Sequence, residues 1–359
     1  MRVNWETYVR KVVPYTPGEQ PKDRGIIKLN TNENPYPPCP GVYQALSQMD
    51  VGNLRKYPDP TVHDLVAALA AQYGLKEEQV FVGVGSDDVL AMCFLTFFNS
   101  GKPILFPDIT YSFYDVWASM LRIPYEQIPL DDHFRIRPED YCRENGGVVI
   151  ANPNAPTGVL LPAREVEKIL QANRDQIVIV DEAYVDFGGE SVLGLVGEYD
   201  NLIVVQTFSK SRSLAGMRIG CAFADEKLIR YLNDVKYSFN SYTMNTPSIL
   251  AGVAAVEDEA YFAQTRDRII QTRERVKTCL RELGFSFEDS KTNFIFATHE
   301  TIPAKELFEY LKTQRIFVRY FSLPRISNYL RISIGTDEEM DRLLAVLREY
   351  ISGVAGRSL

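Results

Sequence analysis

Five short runs of uninterrupted apolar residues most tightly constrain what this chain can fold into. They are "QVFVGVG" (79–85), "PILFP" (103–107), "GVVIAN" (147–152), "IVIVDEAY" (177–184) and "LIVVQTFS" (202–209). Each is short, and none alternates polar with apolar. Such a run needs both faces covered, which is the condition of a buried parallel strand. Helical patterns separate the runs. "VHDLVAALAAQYG" reads as an amphipathic helix stopped at Gly74, and "PAREVEKILQAN" places Val166, Ile169 and Leu170 on one face. Strand and helix in repetition predict an α/β sandwich with right-handed crossovers.

The last third reads differently. A charged amphipathic pattern runs from Asp258 to Leu283 and stops at Gly284. Strand-like "TNFIFAT", a helix at "AKELFEYLKTQ", strand-like "IFVRYF" and "LRISIG", and a final helix follow. Thr336 and Glu339 are spaced as a capping box for that helix, whose stripe is Met340, Leu343, Leu344, Leu347 and Ile351. This mixed order predicts a smaller α+β domain at 272–359, after a large domain at 51–271. The Pro- and Asn-rich residues 1–50 favour extended structure and are expected to complete the small domain.

Composition removes several function classes. The net charge of −8 argues against a nucleic-acid partner. Five widely spaced cysteines form no C-x-x-C, so neither a zinc site nor a disulfide framework is expected. Three scattered histidines argue against metal or His-based triad chemistry. The first residues contain no apolar signal core, and no apolar run is long enough to span a bilayer, so a cytoplasmic protein without membrane partners is expected.

In open α/β sheets ligands bind beyond the carboxyl ends of the strands. Those ends carry Ser86-Asp87-Asp88, Asn152-Pro153-Asn154, Asp181 and Ser209-Lys210. Asp181 follows four apolar residues, so it reads either as a cap for the next segment or as the acid partner of a protonated ring nitrogen. Lys210 can snorkel to water or supply a desolvated, nucleophilic amine. Arg218 suits a surface ion pair or a phosphate dianion. Gly83 and Gly85 precede what reads as a helix start, a backbone cradle for phosphate. Asp88 replaces the third glycine of a dinucleotide fingerprint, and no Walker A pattern occurs.

Ten segments, in order, resemble the fold-type I pyridoxal-phosphate-dependent aminotransferases, and within them the histidinol-phosphate aminotransferases. They are "VPYTPG", "LNTNENPYPP", "RKYPDP", "GVGSDD", "DITYSFY", "NPNAPTG", "DEAYVDF", "TFSK…LAGMRIG", "FVRYF" and "LRISIGT". The resemblance implies an α/β fold with a mostly parallel seven-stranded sheet between helices, plus a smaller α+β domain. It implies pyridoxal 5'-phosphate as cofactor and no metal. Lys210 would carry the cofactor and shuttle a proton, Asp181 would pair with the pyridine nitrogen, Tyr184 would donate to the ring's phenolic oxygen, and Tyr111 would stack on the ring. Ser209, Arg218 and the backbone of Ser86 and Asp87 would hold the phosphate. Tyr57 would reach the phosphate of a neighbouring subunit's cofactor, which makes the enzyme a homodimer with shared sites. Arg331 would grip the carboxylate of glutamate or 2-oxoglutarate, Arg319 would help bind the phosphate of histidinol phosphate, and Tyr15 would close over the substrate.

Two places depart from the family pattern. Ala155 stands where the family has asparagine directly before "PTG", and Asn154 is the substitute candidate. "SRS" (211–213) follows the lysine, and Arg212 is open to two roles, a surface residue or a second anion contact, the surface being preferred. The reaction implied is amino transfer between L-histidinol phosphate and 2-oxoglutarate in histidine biosynthesis. Broad or aromatic amino-acid transfer and threonine-phosphate decarboxylation are the alternatives within the same fold.

Overall fold

The structure is a computed structural model that describes residues 4–16, 18–21 and 25–355. Pro17 of "VPYTPG" and the outermost residues of the chain lie outside that description.

The five apolar runs are strands of one seven-stranded sheet. In chain order after β1 (Ile27–Leu29), its strands are β2 (Val80–Gly83), β3 (Ile104–Pro107), β4 (Tyr125–Ile128), β5 (Val148–Ala151), β6 (Val178–Asp181), β7 (Leu202–Thr207) and β8 (Gly220–Ala224). Their spatial order is β2-β8-β7-β6-β5-β3-β4. All neighbouring pairs are parallel except the two made by β8. Every residue of β5, β6 and β7 is buried, and successive side chains enter different cores. Leu202 and Val204 pack on one face with Leu65, Val166 and Ile169. Ile203 and Val205 pack on the other with Leu90, Phe94 and Leu232. Double burial explains the absence of alternation in the sequence. Two strands are not marked by long apolar runs. The edge strand β4 ("YEQI") exposes three of its four residues, and β8 ("GCAFA") is composed largely of small residues.

A second sheet has the order β1-β11-β12-β10-β9, from β9 (Phe285–Phe287), β10 (Phe294–His299), β11 (Ile316–Tyr320) and β12 (Leu330–Ser333). The N-terminal strand β1 enters it parallel to β11. One face, with Ile295, Ala297, Val318 and Ile332, packs with Ile269, Val276, Leu311 and Leu343 of the helices Glu259–Glu282, Ala304–Thr313 and Asp337–Ala355. The capping box forms: Thr336 N–H donates to Glu339 Oε2 at 2.9 Å, and Glu339 N–H donates to Thr336 Oγ1 at 3.3 Å. Gly74 ends the helix His63–Tyr73 with φ +66°, the left-handed geometry glycine adopts without strain.

Candidate active site

The carboxyl ends of β2, β6 and β7 converge on a cavity of about 170 Å³ lined by Ser86, Asp87, Tyr111, Asp181, Thr207, Ser209, Lys210 and Arg218. A second cavity of about 160 Å³ is lined by Tyr15, Asn30, Asn32, Arg319, Phe321 and Arg331. Thr31, Tyr111, Ala155, Tyr184 and Lys210 line both, so the lysine stands between the large-sheet residues and the small-sheet arginines.

Topology puts Lys210 there. The chain reverses after β7 and returns as antiparallel β8, and the reversing loop carries Ser209, Lys210 and Arg218. Lys210 Nζ donates to the Thr31 carbonyl at 3.3 Å and lies 5.6 Å from the centre of the Tyr184 ring. Asp181 is 5% exposed. Its Oδ1 accepts from Ala183 N–H at 3.2 Å, and its Oδ2 from Tyr114 O–H at 2.8 Å. The first bond closes a local turn rather than capping the helix Val185–Phe187, whose N-cap is Tyr184, and the carboxylate lines the cavity wall. Burial pushes its carboxyl up to about 6, against the lowering effect of the Tyr114 hydrogen bond.

The cradle opposite depends on two glycines. Gly85 has φ +87° and precedes the twelve-residue helix Ser86–Phe97. A Cβ on it would come within 2.6 Å of an Arg218 guanidinium nitrogen. Gly220 opens β8 directly against this turn, and a Cβ there would lie 2.3 Å from both Gly85 C and Ser86 N. Backbone cannot yield at that distance without moving the helix start. Gly220→Ala is therefore expected to cost about 1–3 kcal/mol in a denaturant titration. Unchanged stability would mean that β8 does not press on the cradle. Arg218 reaches Asp87 Oδ2 at 3.3 Å, and Asp87 Oδ1 accepts from Tyr111 O–H at 2.6 Å. Thr207 O–H donates to Ser209 Oγ at 3.0 Å.

The small sheet supplies two cations. Arg319 and Arg331 are direct partners across antiparallel β11 and β12, so their side chains share one face. Arg331 Nη2 donates to the Asn30 carbonyl at 2.9 Å, and its buried Nε has no partner among the described residues. Arg319 reaches the Thr16 carbonyl at 3.5 Å, and its guanidinium lies 5.5 Å from the centre of the Phe321 ring. Burial and the neighbouring Arg319 both disfavour the Arg331 charge. Two guanidinium groups thus lie on one face of the small sheet beside the second cavity. Tyr15 stacks on Phe113 at 4.2 Å above it.

Three expectations need correction or qualification. Asn154 lines neither cavity. Its Nδ2 donates to Ile109 O and Thr157 Oγ1, both at 2.9 Å, and its Oδ1 accepts from Thr110 O–H at 2.8 Å. Both amide hydrogens and one acceptor position go to the loop, and because it lines neither cavity it is not placed to substitute for an asparagine at Ala155. Arg212 is not a surface residue. It is 8% exposed, its Nη1 donates to Ala255 O at 2.6 Å, and its guanidinium lies 4.2 Å from the centre of the Phe262 ring. It serves a carbonyl in the last turn of the helix Thr246–Glu257, where such groups have no helical donor. It lines neither cavity, so it is not a second anion contact there. Tyr57 is 80% exposed, stacks on Tyr242 at 4.6 Å, and lines neither cavity of its own chain. At the strand ends, Asn152 pairs with the Leu161 backbone and Asp88 with Val84 N–H, so neither faces the cavities.

Sequence reasoning missed Thr31, Asn32, Asn34, Tyr114 and Thr207. Tyr114 and Thr207 lie inside recognised motifs. By composition the run "NTNEN" signalled only turns, and its place in a family segment gave none of its residues a role, although all five contact the site. Among the described residues no cluster of three potential metal ligands occurs, and no helix is long and apolar enough to cross a membrane.

The profile of the family described as aminotransferase class I and II matches residues 24–347. The chain belongs to this family. This aminotransferase is 53% identical to the histidinol-phosphate aminotransferase of Brachyspira hyodysenteriae over 95% of this chain and 97% of that one. It is 50% identical to that of Clostridium acetobutylicum over 97% and 99% respectively. The aminotransferase fold also superimposes on a Sinorhizobium meliloti histidinol-phosphate aminotransferase solved with pyridoxal-5'-phosphate. That match has a TM-score of 0.84 and 27% identity, covering 92% of each chain.

Proposed function

We propose that the protein uses pyridoxal 5'-phosphate to transfer the amino group of L-histidinol phosphate to 2-oxoglutarate. The products are imidazole-acetol phosphate and L-glutamate, a step of histidine biosynthesis. The observation that carries the substrate reading is the Arg319–Arg331 pair across two strands, in a cavity shared with Lys210. The same seat suits the phosphate of one substrate and a carboxylate of the other, as alternating occupancy by the two requires. Relatives near 50% identity bearing the histidinol-phosphate name point the same way.

The residues present fit the cofactor. A buried carboxylate with a raised pKa, Asp181, suits a protonated ring nitrogen. The backbone at Gly85 and Ser86, where an added Cβ would strike Arg218, suits a phosphate, with Thr207, Ser209 and Arg218 as further donors. When bound, the cofactor supplies an electron sink for charge developing at the substrate α-carbon. Asp181, held by Tyr114, would keep the ring nitrogen protonated, and Tyr111 would cover the ring. Tyr184 offers its hydroxyl to the phenolic oxygen. Lys210 would provide the amine that holds the cofactor and would move a proton at the substrate α-carbon. Tyr15 closes the cavity against water. In this reading the protein is cytoplasmic and a homodimer, with exposed Tyr57 completing the phosphate site of the partner. The division between the two units falls differently from the sequence expectation: β1 joins the small sheet, but Cys39 and Val42 pack in the large core, and Ile269, ahead of residue 272, already packs in the small one.

The deciding measurement is the visible spectrum of the purified protein with pyridoxal phosphate, before and after L-histidinol phosphate alone. Colour that bleaches on addition is the expected result. Bleaching only with phenylalanine or tyrosine would move the assignment to aromatic amino transfer. Release of carbon dioxide from threonine phosphate would move it to a decarboxylase, and failure to take up the cofactor would overturn the enzyme reading.

A further inference from the structure

Tyr184 can assist at the phenolic oxygen only if its proton points into the cavity, and a chain of hydrogen bonds behind it fixes that direction. The chain starts at a group with no choice. The backbone N–H of Asn32 can only donate, and it donates to Ser333 Oγ at 3.0 Å. Ser333 therefore sends its own single proton onward, to Asn32 Oδ1 at 2.8 Å. With Oδ1 committed, the amide NH2 of Asn32 must face the other way, and it donates to the Tyr184 hydroxyl oxygen at 3.0 Å. The Tyr184 oxygen thus accepts, and its proton has no other acceptor among the described residues. What remains for it is the space shared with Lys210.

The geometry of Asn32 makes the arrangement rigid. It is 1% exposed, it sits at φ +57°, and its carbonyl accepts from Asn293 Nδ2 at 2.9 Å. A left-handed, buried asparagine anchored at backbone and side chain cannot rotate to offer Tyr184 an acceptor instead. We infer that Asn32 is a positioning residue that, oriented by Ser333, holds Tyr184 as a hydrogen-bond donor into the cavity. This inference rests on the function proposed above. It matters more in this chain because Ala155 has no amide to offer the same oxygen.

The test is the pH midpoint of the spectral transition of the cofactor-loaded protein. A donor at the phenolic oxygen favours its ionised form and so lowers the pKa of the neighbouring cationic nitrogen. Tyr184→Phe is expected to raise the midpoint. Asn32→Asp presents an acceptor to Tyr184 and turns its proton away, so it should raise the midpoint by about one unit. Ser333→Ala frees the amide to turn and should shift it the same way without adding charge. The decisive comparison repeats both changes in the Tyr184→Phe background, where the Ser333→Ala shift should vanish and the Asn32→Asp shift should shrink to the bare effect of the new charge. Lys210, Asp181, Asp87, Tyr111, Arg218, Tyr15, Arg319 and Arg331 line the two cavities with Tyr184, with Glu33 paired to Lys28 at the rim, and all stay unchanged within each comparison. Equal shifts in both backgrounds, or none in the parent, would overturn the inference. If Asn32→Asp does not fold, as judged by thermal melting of the cofactor-free protein, the Ser333→Ala pair still decides it. A protein that never takes up pyridoxal phosphate would instead overturn the underlying function.

Discussion

Lys210→Ala is expected to abolish turnover, by at least ~10⁴-fold, because covalent anchoring and proton transfer both depend on one amine. The fold should survive. Lys210 is half-buried, and among the described residues its only hydrogen-bond acceptor is the Thr31 carbonyl, at 3.3 Å. Its removal leaves that carbonyl in a cavity wall, where water can replace the bond. The variant should therefore melt near the parent temperature and still bind pyridoxal phosphate through the Gly85–Ser86 cradle and Arg218. Borohydride should not fix the cofactor to it, whereas in the parent it should. A small primary amine added to the buffer should restore part of the proton transfer. Turnover within tenfold of the parent would remove Lys210 from the chemistry.

Asp181→Asn should separate stability from function. Asp181 has its folded pKa raised by burial from 3.8 to about 6, so the folded cofactor-free protein holds this proton longer than the unfolded chain does. Its contribution is favourable at low pH, is lost as pH rises from about 4 to 6, and is constant above that, a cost of up to about 3 kcal/mol at full ionisation. The asparagine cannot ionise. It can still accept from Ala183 N–H and donate to the Tyr114 oxygen. Cofactor-free Asp181→Asn should therefore match the parent near pH 4 and be more stable above pH 6. Activity should move oppositely, falling by about 10²–10⁴-fold because nothing then keeps the ring nitrogen protonated. Parallel melting curves from pH 4 to 8 would show that burial does not penalise this carboxylate. Full activity would remove its pairing with the ring.

The contrast between Asp181 and Arg212 shows how far residue order can be read. Both are buried charged residues. Asp181 ends an all-apolar strand, and strand ends of open sheets face ligands, so its place followed from local pattern and topology alone. Arg212 lies two residues beyond Lys210 and looks like a loop cation. Its actual partners, Ala255 O and the Phe262 ring, are more than forty residues away in sequence. No local rule connects them. Asn154 fails for a related reason: its motif position is sound, but Thr110, Ile109 and Thr157 hold its amide in the loop.

The chain's sequence by itself determined the sandwich and the position of its chemistry. Apolar runs of strand length cannot be satisfied except between two layers, and the polar residues that end them must then gather at one edge. Folding decided the rest. β4 and β8 lack the apolar run because one is an edge and the other is built of small residues that pass close to the helix start at Ser86. Arg319 and Arg331 come side by side only through the register of β11 against β12. Asn32 reaches Tyr184, 152 residues away, only because β1 crosses into the small sheet and brings "NTNEN" over the ends of β6 and β7. Hydrophobic periodicity is local and survives in a linear reading. Which donor meets which acceptor depends on contacts between distant segments, and those exist only once both sheets have formed.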